Sequence, residues 1–237
     1  MVEEKTGSFK PGLQAGASIA IGYFPIALTF GLLSKTTGLT LIETVLMSLI
    51  VYAGASQYMG LSLIAAGTSP FVIILTTFVV NIRHFLMTAA LSQKVEEPSK
   101  WKRGLFAFGI TDETFSVLAT RNGKIPIGYG FGVTFIAYAS WVVSSGIGYV
   151  IGANLPQFLQ ASMTVALYAM FIGLLVPSLK KSVKVLFLAA LSAAFNSIFT
   201  GYGVMEEGWS IIVSTLLSAF LVEMAETYKR KKQVKEK

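Results

Sequence analysis

Long apolar stretches separated by short polar connections occupy most of the chain. From Pro11 to Ile82 the only charged side chains are Lys35 and Glu43, and from Ile125 to Leu179 there are none. A helix needs about 20 predominantly apolar residues to cross a bilayer, so each stretch is long enough for several crossings. The pattern predicts seven transmembrane spans, at residues 13–34, 41–66, 70–92, 128–152, 157–179, 183–201 and 208–226.

A further apolar segment, residues 104–120, carries Asp112 and Glu113 at its centre. At about 17 residues it is marginal for crossing the membrane. Gly109 can break its backbone, and Thr111 can then cap a half-helix that continues through Glu113. We therefore expect a short discontinuous or re-entrant segment here, although a crossing would give eight spans instead of seven.

The charged connections predict an orientation. Connections 93–103, 121–124 and 180–184 are basic, as is the tail 228–237, whereas the 201–207 connection carries two glutamates. Basic connections favour the cytoplasmic side. All the basic connections can lie in the cytoplasm only if segment 104–120 enters and leaves the membrane on the same side. The N-terminus is then outside and the C-terminus inside. The prediction is thus an all-α, multi-pass helix bundle in the cytoplasmic membrane, forming one domain (1–237) with a basic cytoplasmic tail.

Composition excludes several classes of protein. The chain is 54% hydrophobic and 13% charged, against about 25% charged residues in soluble domains. It has no cysteine and one histidine, which excludes disulfides and metal sites with two histidines or with cysteine ligands. It has neither a Gly-x-Ser-x-Gly elbow nor a phosphate-binding Gly-x-x-x-x-Gly-Lys loop. We therefore predict no enzyme activity and no cofactor, and no nucleic-acid partner because the basic residues flank the spans.

One candidate site is the sequence Asn81-Ile82-Arg83-His84 inside segment 70–92. Arg at membrane depth costs about 2.5–3.5 kcal/mol and usually faces a partner or a cavity. On a helix Thr77, Asn81, His84 and Thr88 share one face, and Arg83 lies on its flank. We expect this polar stripe to face the protein interior. The alternative is that Arg83 lies near the interface and extends its head group to water.

A second candidate site is Thr111-Asp112-Glu113-Thr114. Half-helix N-termini present positive dipole ends and attract anionic groups. Arg83 or protonated His84 can neutralise either Asp112 or Glu113, which leaves the other carboxylate for a ligand. The alternative is a structural ion pair without a role in transport.

Other segments carry weaker signals. Segment 41–66 contains Tyr52-Ala53-Gly54-Ala55-Ser56-Gln57, where Gly weakens the helix and Ser and Gln can satisfy freed backbone groups. Ser144, Gly148 and Gly152 form a small-residue face that allows another helix to approach closely. Phe30-Gly31-Leu32-Leu33 is similar to Ile172-Gly173-Leu174-Leu175 and hints at an inverted repeat.

Four motifs together resemble the AzlC family of branched-chain amino acid permeases. They are Gly22-Tyr23-Phe24-Pro25-Ile26-Ala27 with Phe30-Gly31, then the 52–57, 81–84 and 111–114 motifs quoted above. The resemblance covers most of the chain, with the motifs concentrated in its first half. It implies export of leucine, isoleucine and valine, and of methionine or analogues, usually with a small four-span membrane partner of the AzlD type.

The leading hypothesis is a proton-coupled secondary transporter that exports branched-chain amino acids. A zwitterionic substrate needs an anion site, a cation site and an apolar pocket. The coupling proton is assigned to His84, which titrates near neutrality when unperturbed, or to Glu113. The alternatives are an intramembrane enzyme acting on lipid and a passive channel for small solutes. The predicted substrate-binding residues are Arg83, Asp112, Glu113, Asn81, Gly54 and Gln57.

Overall fold

The computed structural model describes residues 9–97, 99–152, 182–205 and 207–235, together with residues 158, 172, 175, 176, 179 and 180. These residues form an all-α structure apart from one pair of two-residue strands. The helices are α1 (Phe9–Thr36), α2 (Leu41–Ile50), α3 (Gly54–Ala65), α4 (Pro70–Ser92), α5 (Lys100–Phe108), α6 (Asp112–Ala119), α7 (Ile127–Gly152), α8 (Val183–Gly201) and α9 (Glu207–Lys235), and the strands are β1 (Val95–Glu96) and β2 (Ile125–Pro126).

Five helices in the described part of the chain are long and apolar enough to cross a membrane: α1, α4, α7, α8 and α9. They coincide with five of the seven predicted spans. The predicted span 157–179 lies largely outside the described residues, and so does the second copy of the suggested repeat. The count of seven spans therefore stays a prediction.

Segment 41–66, predicted as one span with a weak point in its 52–57 motif, is interrupted and forms two helices. The chain leaves helical structure at Val51–Ala53, between α2 and α3. Tyr52 has φ 41°, a left-handed conformation that costs a non-glycine residue about 1–3 kcal/mol. One residue in this conformation interrupts the helical hydrogen bonds. The two helices, of 10 and 12 residues, are each shorter than the roughly 20 residues needed to cross.

The predicted break in segment 104–120 is present. Helix α5 ends at Phe108, Gly109–Thr111 are not helical, and α6 begins at Asp112 with Thr111 as its N-cap. The expected half-helix is therefore confirmed. Because Gly109 and its neighbours separate two helices of 9 and 8 residues, each of them is also too short to cross on its own.

Contacts at the base of this segment bring its two ends together. Strand β1 pairs in parallel with β2, Val95 opposite Ile125. The Lys94 ammonium donates to the carbonyl of Ala119, the last residue of α6, at 2.8 Å. Glu97 forms an ion pair with Lys102 in the first turn of α5, at 3.6 Å. The start of α5 and the end of α6 thus lie beside the same strand pair, as expected for a segment that returns to the side it entered.

The first of two compact units comprises residues 1–62 and 80–167. Its core is the close packing of α1 against α7. A Cβ added to Gly31 would lie 2.0 Å from the Ser145 carbonyl oxygen, and one added to Gly148 would lie 2.1 Å from the Leu28 carbonyl oxygen. These contacts confirm that the small-residue face of α7 admits a close helix neighbour.

The second unit comprises residues 63–79 and 168–237. Within it α8 packs on α9, and the Ser210 hydroxyl donates to Asn196 Oδ1 at 2.8 Å. At the other end of this helix pair, Lys184 Nζ lies 2.7 Å from both Glu223 and Glu226. Asn196 and Glu223 therefore connect α8 and α9.

Candidate functional site

An ion pair joins the two predicted polar motifs in the first unit. Arg83 Nη2 on α4 lies 3.0 Å from Asp112 Oδ2 on α6, and the two side chains are 39% and 26% exposed. This is one of the pairings expected from the sequence. The Arg83 Nε atom is buried and has no hydrogen-bond partner among the described residues. The guanidinium therefore keeps a buried donor, Nε, that is not used in its ion pair with Asp112.

Glu113, the next residue, has a different partner. The hydroxyl of Tyr23 on α1 donates to Glu113 Oε2 at 2.5 Å and also lies 2.7 Å from Thr111 Oγ1. Tyr23 is buried. No cationic side chain in the described ranges lies within ion-pair distance of Glu113. Its carboxylate is thus held by a neutral donor at the first turn of α6.

The backbone at the start of α6 is held by a reciprocal capping arrangement. Thr111 Oγ1 accepts from the Thr114 amide, and Thr114 Oγ1 accepts from the Thr111 amide at 2.7 Å. Gly109 packs directly against α7, because an added Cβ would lie 2.5 Å from Thr134 Cβ. Capping satisfies free amides at a helix start. These contacts fix the direction in which Asp112 and Glu113 leave the helix.

Gln57 and Gly54, both predicted to bind substrate, contact Trp141 on α7. The Trp141 indole donates to Gln57 Oε1 at 2.9 Å, and Gln57 Nε2 donates to Ser48 Oγ at 3.1 Å. A Cβ on Gly54 would lie 2.8 Å from the Trp141 ring. The Trp141 ring in turn meets the Tyr23 ring edge-on at 5.2 Å. Gln57 and Gly54 thus position the Trp141 ring, which packs against Tyr23. Their predicted role in substrate binding stays a prediction.

Asn81 and His84 lie on the same helix as Arg83. Asn81 Oδ1 accepts a hydrogen bond of 2.6 Å from Ser56 Oγ, which ties α4 to α3. His84 is partly buried beside Arg83 and within electrostatic reach of Glu113. The structure therefore brings Arg83 and His84 to the region of the 111–114 motif, whereas Asn81 contacts α3. Thr77, from the predicted stripe, instead donates to the carbonyl of Ile73 in its own helix.

Three aromatic residues at the site had no role assigned from the sequence: Tyr23, Tyr52 and Trp141. Tyr23 and Tyr52 occur in the motifs quoted above, and each places a phenol hydroxyl inside an apolar segment. That combination is a usable signal, because a buried hydroxyl requires a hydrogen-bond partner. Among the described residues no group of three or more His, Asp or Glu side chains is arranged to hold a metal ion.

Comparisons with known proteins place the chain among membrane proteins. Residues 18–155 match the sequence model of the family described as AzlC protein. The chain is 32% identical over 201 residues to the inner membrane protein YgaZ of Escherichia coli (strain K12), a match that covers 81% of this chain and 82% of that protein. It is 31% identical over 180 residues to an uncharacterized membrane protein of Archaeoglobus fulgidus, covering 74% and 78%.

A further relative carries a functional name. The branched-chain amino acid transport protein AzlC of Bacillus subtilis (strain 168) is 24% identical over 180 residues, covering 75% of this chain and 70% of that protein. No solved structure matches the chain significantly. The matched region 18–155 includes α6 and both sides of the Arg83–Asp112 pair, and it exceeds half of the 237 residues. The chain is therefore a membrane protein of the AzlC family.

Proposed function

We propose that this protein is a secondary transporter that exports branched-chain amino acids across the cytoplasmic membrane and is coupled to protons. The observation that carries the proposal is the unequal pairing of two adjacent carboxylates at one helix start. Asp112 is neutralised by Arg83, whereas Glu113 has the neutral Tyr23 hydroxyl and no cation as its side-chain partner among the described residues. A carboxylate without a cation in a sheltered position is suited to bind one reversibly.

A zwitterionic amino acid complements this arrangement. Its ammonium group binds Glu113, and its carboxylate takes the unused Nε donor of Arg83, so the Arg83–Asp112 bond need not break. Arginine presents several donors in a fixed planar arrangement, which allows one guanidinium to serve two carboxylates. The name of the Bacillus subtilis relative, a branched-chain amino acid transport protein, supports branched-chain amino acids as the substrates.

Proton coupling needs a group whose charge depends on bound protons and on bound substrate. Glu113 and His84 both meet this requirement, because each lies at the site and is only partly buried. If a proton and the substrate ammonium compete for the Glu113 carboxylate, a proton gradient drives the substrate in the opposite direction. His84, within electrostatic reach of Glu113, is the alternative proton site.

We also propose that the transporter works with a small membrane subunit of the AzlD type. The family resemblance is the support for this partner. Co-expression of the two chains and purification through a tag on the small subunit tests it directly, with an unrelated four-span protein carrying the same tag as the control. Recovery of this chain with both baits, or with neither, would contradict the proposal.

The central experiment is transport by the purified protein in liposomes, with and without the small subunit. We expect labelled isoleucine to move against its gradient when a proton gradient is imposed, and the flux to saturate with substrate. Flux that does not saturate would favour a channel. A rate equal to that of protein-free liposomes under both conditions would exclude the transport function.

A further inference from the structure

The strained residue Tyr52 carries a buried hydroxyl without a partner. Its φ of 41° is the one positive value among the described non-glycine residues. Its side chain is almost fully buried, with 3% of the residue exposed, yet the hydroxyl has no hydrogen-bond partner among the described residues. Buried hydroxyls are nearly always satisfied, and backbone strain is retained mainly at functional positions. The strained backbone and the unpartnered hydroxyl occur at the same residue, so one explanation should account for both.

The surroundings of Tyr52 connect the two broken segments of the first unit. Its ring lies 6.0 Å from that of Phe108, the last residue of α5, and meets Tyr138 edge-on at 4.9 Å. Phe108 and Tyr138 also contact each other, at 5.8 Å. The break at 51–53 therefore lies beside the break at 109–111. Tyr52 is also within electrostatic reach of Glu113 and of Tyr23.

The charge of Glu113 limits which chemical groups can serve as the missing hydrogen-bond partner of the Tyr52 hydroxyl. A second carboxylate would be repelled by the Glu113 anion, whereas a cation with several N–H donors can bond to both oxygens. An ammonium group has three donors. The Tyr52, Phe108 and Tyr138 rings add an apolar aromatic wall, a surrounding that also favours cations.

We propose that Tyr52 contacts the substrate, and that its hydroxyl oxygen accepts a hydrogen bond from the ammonium group bound at Glu113. The ligand class is a primary amine carried by an α-amino acid. This inference rests on the proposed function and extends it by naming the second ligand of the ammonium group. It also accounts for the strained backbone, since φ near 41° is what directs this side chain between the two breaks.

The test begins with Tyr52→Phe, which removes one oxygen and keeps the ring. We expect the Kd for isoleucine to rise about tenfold, as for loss of a hydrogen bond to a charged group. The melting temperature of the ligand-free protein should be unchanged or higher, because the deleted hydroxyl has no partner to lose. A merely structural role would lower the melting temperature without a selective loss of binding.

Tyr149→Phe is the matched control. The Tyr149 hydroxyl donates to the Leu39 carbonyl at 3.0 Å, and the Tyr149 backbone packs on Gly31 of α1, about two helical turns beyond Tyr23. Its removal should lower the melting temperature and leave the Kd for isoleucine unchanged. Equal Kd values for the wild type and Tyr52→Phe would overturn the inference while leaving the proposed function intact. Failure of the wild-type protein to bind isoleucine would instead contradict the proposed function.

Two probes identify the group that Tyr52 contacts. The amine 2-methylbutylamine retains the ammonium of isoleucine, and 3-methyl-2-oxopentanoate retains the carboxylate. The Tyr52→Phe change should weaken binding of the amine and leave binding of the oxo acid unaffected. The opposite result would overturn the assignment.

Incorporation of 3-fluorotyrosine at position 52 is the change that perturbs packing least. Because fluorine makes the phenol oxygen a weaker acceptor and its proton a better donor, isoleucine affinity should fall, and a rise would show that Tyr52 donates.

Discussion

Asp112 and Glu113 are adjacent in the chain but have opposite surroundings. Asp112 lies 3.0 Å from a guanidinium, and Glu113 accepts from a phenol on another helix. Successive residues on a helix point about 100° apart, so two neighbours at a helix start can face different partners. The difference separates their expected roles: Asp112 fixes Arg83 in place, and Glu113 presents the charge that a ligand can neutralise.

Asp112→Asn should abolish isoleucine transport and leave expression intact. The substitution leaves Arg83 without its anion. The cost should be about 1–3 kcal/mol of unfolding free energy, below the roughly 3–5 kcal/mol of a fully buried pair, because both side chains keep some exposure. Transport into liposomes and unfolding in mild detergent measure the two effects. Full transport by Asp112→Asn would remove Asp112 from the site.

The double variant Arg83→Gln with Asp112→Asn separates stability from transport. Neutralising both partners removes the uncompensated charge, so most of the lost stability should return. Transport should stay absent, because the Nε donor of Arg83 is missing as well. Recovery of transport together with stability would mean that the ion pair is structural only.

Glu113→Gln should abolish proton-coupled movement of isoleucine, whereas His84→Gln should retain it. In our proposal the Glu113 carboxylate is the charge that either a proton or an ammonium neutralises, and glutamine cannot change charge. The measurement is isoleucine-dependent proton flux in liposomes, followed with a pH-sensitive dye inside. The opposite pattern, with coupling lost in His84→Gln and kept in Glu113→Gln, would assign the proton to His84.

At the scale of helices, the break before α6 depends on a close contact. Gly109→Ala should destabilise the protein by about 1–3 kcal/mol, the usual cost of overpacking, because the new Cβ would lie 2.5 Å from Thr134 Cβ. The added Thr134→Ala change should return part of that stability by removing the colliding atoms beyond Cβ. Unfolding in detergent measures both variants.

Gly104→Ala is the control for this position. An added Cβ there meets nothing within 4 Å, and the residue lies inside α5. Alanine in a helix interior should therefore stabilise the protein slightly, by about 0.4–1 kcal/mol. Equal effects at positions 104 and 109 would mean that the packing of Gly109 against α7 does not hold the break.

The sequence predicts elements with local causes and misses those with distant ones. The break after Gly109 has a local signal, because a glycine is followed by a threonine cap and two carboxylates. The break at Tyr52 has a weaker local signal, because Gly54, Ser56 and Gln57 mark a weak point while the apolar pattern of 41–66 continues through it. A left-handed tyrosine is held there by the rings of Phe108 and Tyr138, which are distant in the chain.

The same distinction applies to the candidate site. Arg83, Asp112 and Glu113 stand out because charge inside an apolar segment is costly wherever it occurs. Tyr23 carries only the weaker signal of a phenol hydroxyl in an apolar segment, because its importance depends on α1 passing beside α6. The partner of each carboxylate was left open by the sequence for that reason, since only the packing of α1 and α4 against α6 distinguishes a phenol from a guanidinium.

At the scale of the whole chain, the orientation of segment 104–120 decides how the charged connections are distributed. If the segment crossed the membrane, connections 93–103 and 121–124 would lie on opposite sides. Backbone pairing of Val95 with Ile125, and the bond from Lys94 to the Ala119 carbonyl, join those two connections directly. Groups in hydrogen-bonding contact cannot be separated by roughly 30 Å of hydrocarbon. Both connections must therefore lie on the same side.

Single cysteines test this orientation cleanly, because the natural chain has none. Lys100 and Asn122 are exposed and flank the segment, and Tyr202 lies in the 201–207 connection predicted to be outside. A membrane-impermeant maleimide added to intact cells should label Tyr202→Cys alone, and inverted vesicles should expose Lys100→Cys and Asn122→Cys. Labelling of Lys100→Cys and Asn122→Cys from opposite sides would place a crossing between them, which the strand pair forbids. If both instead react in intact cells, the segment is still re-entrant but the predicted orientation is reversed, because a re-entrant loop keeps its two ends together whichever way the protein faces.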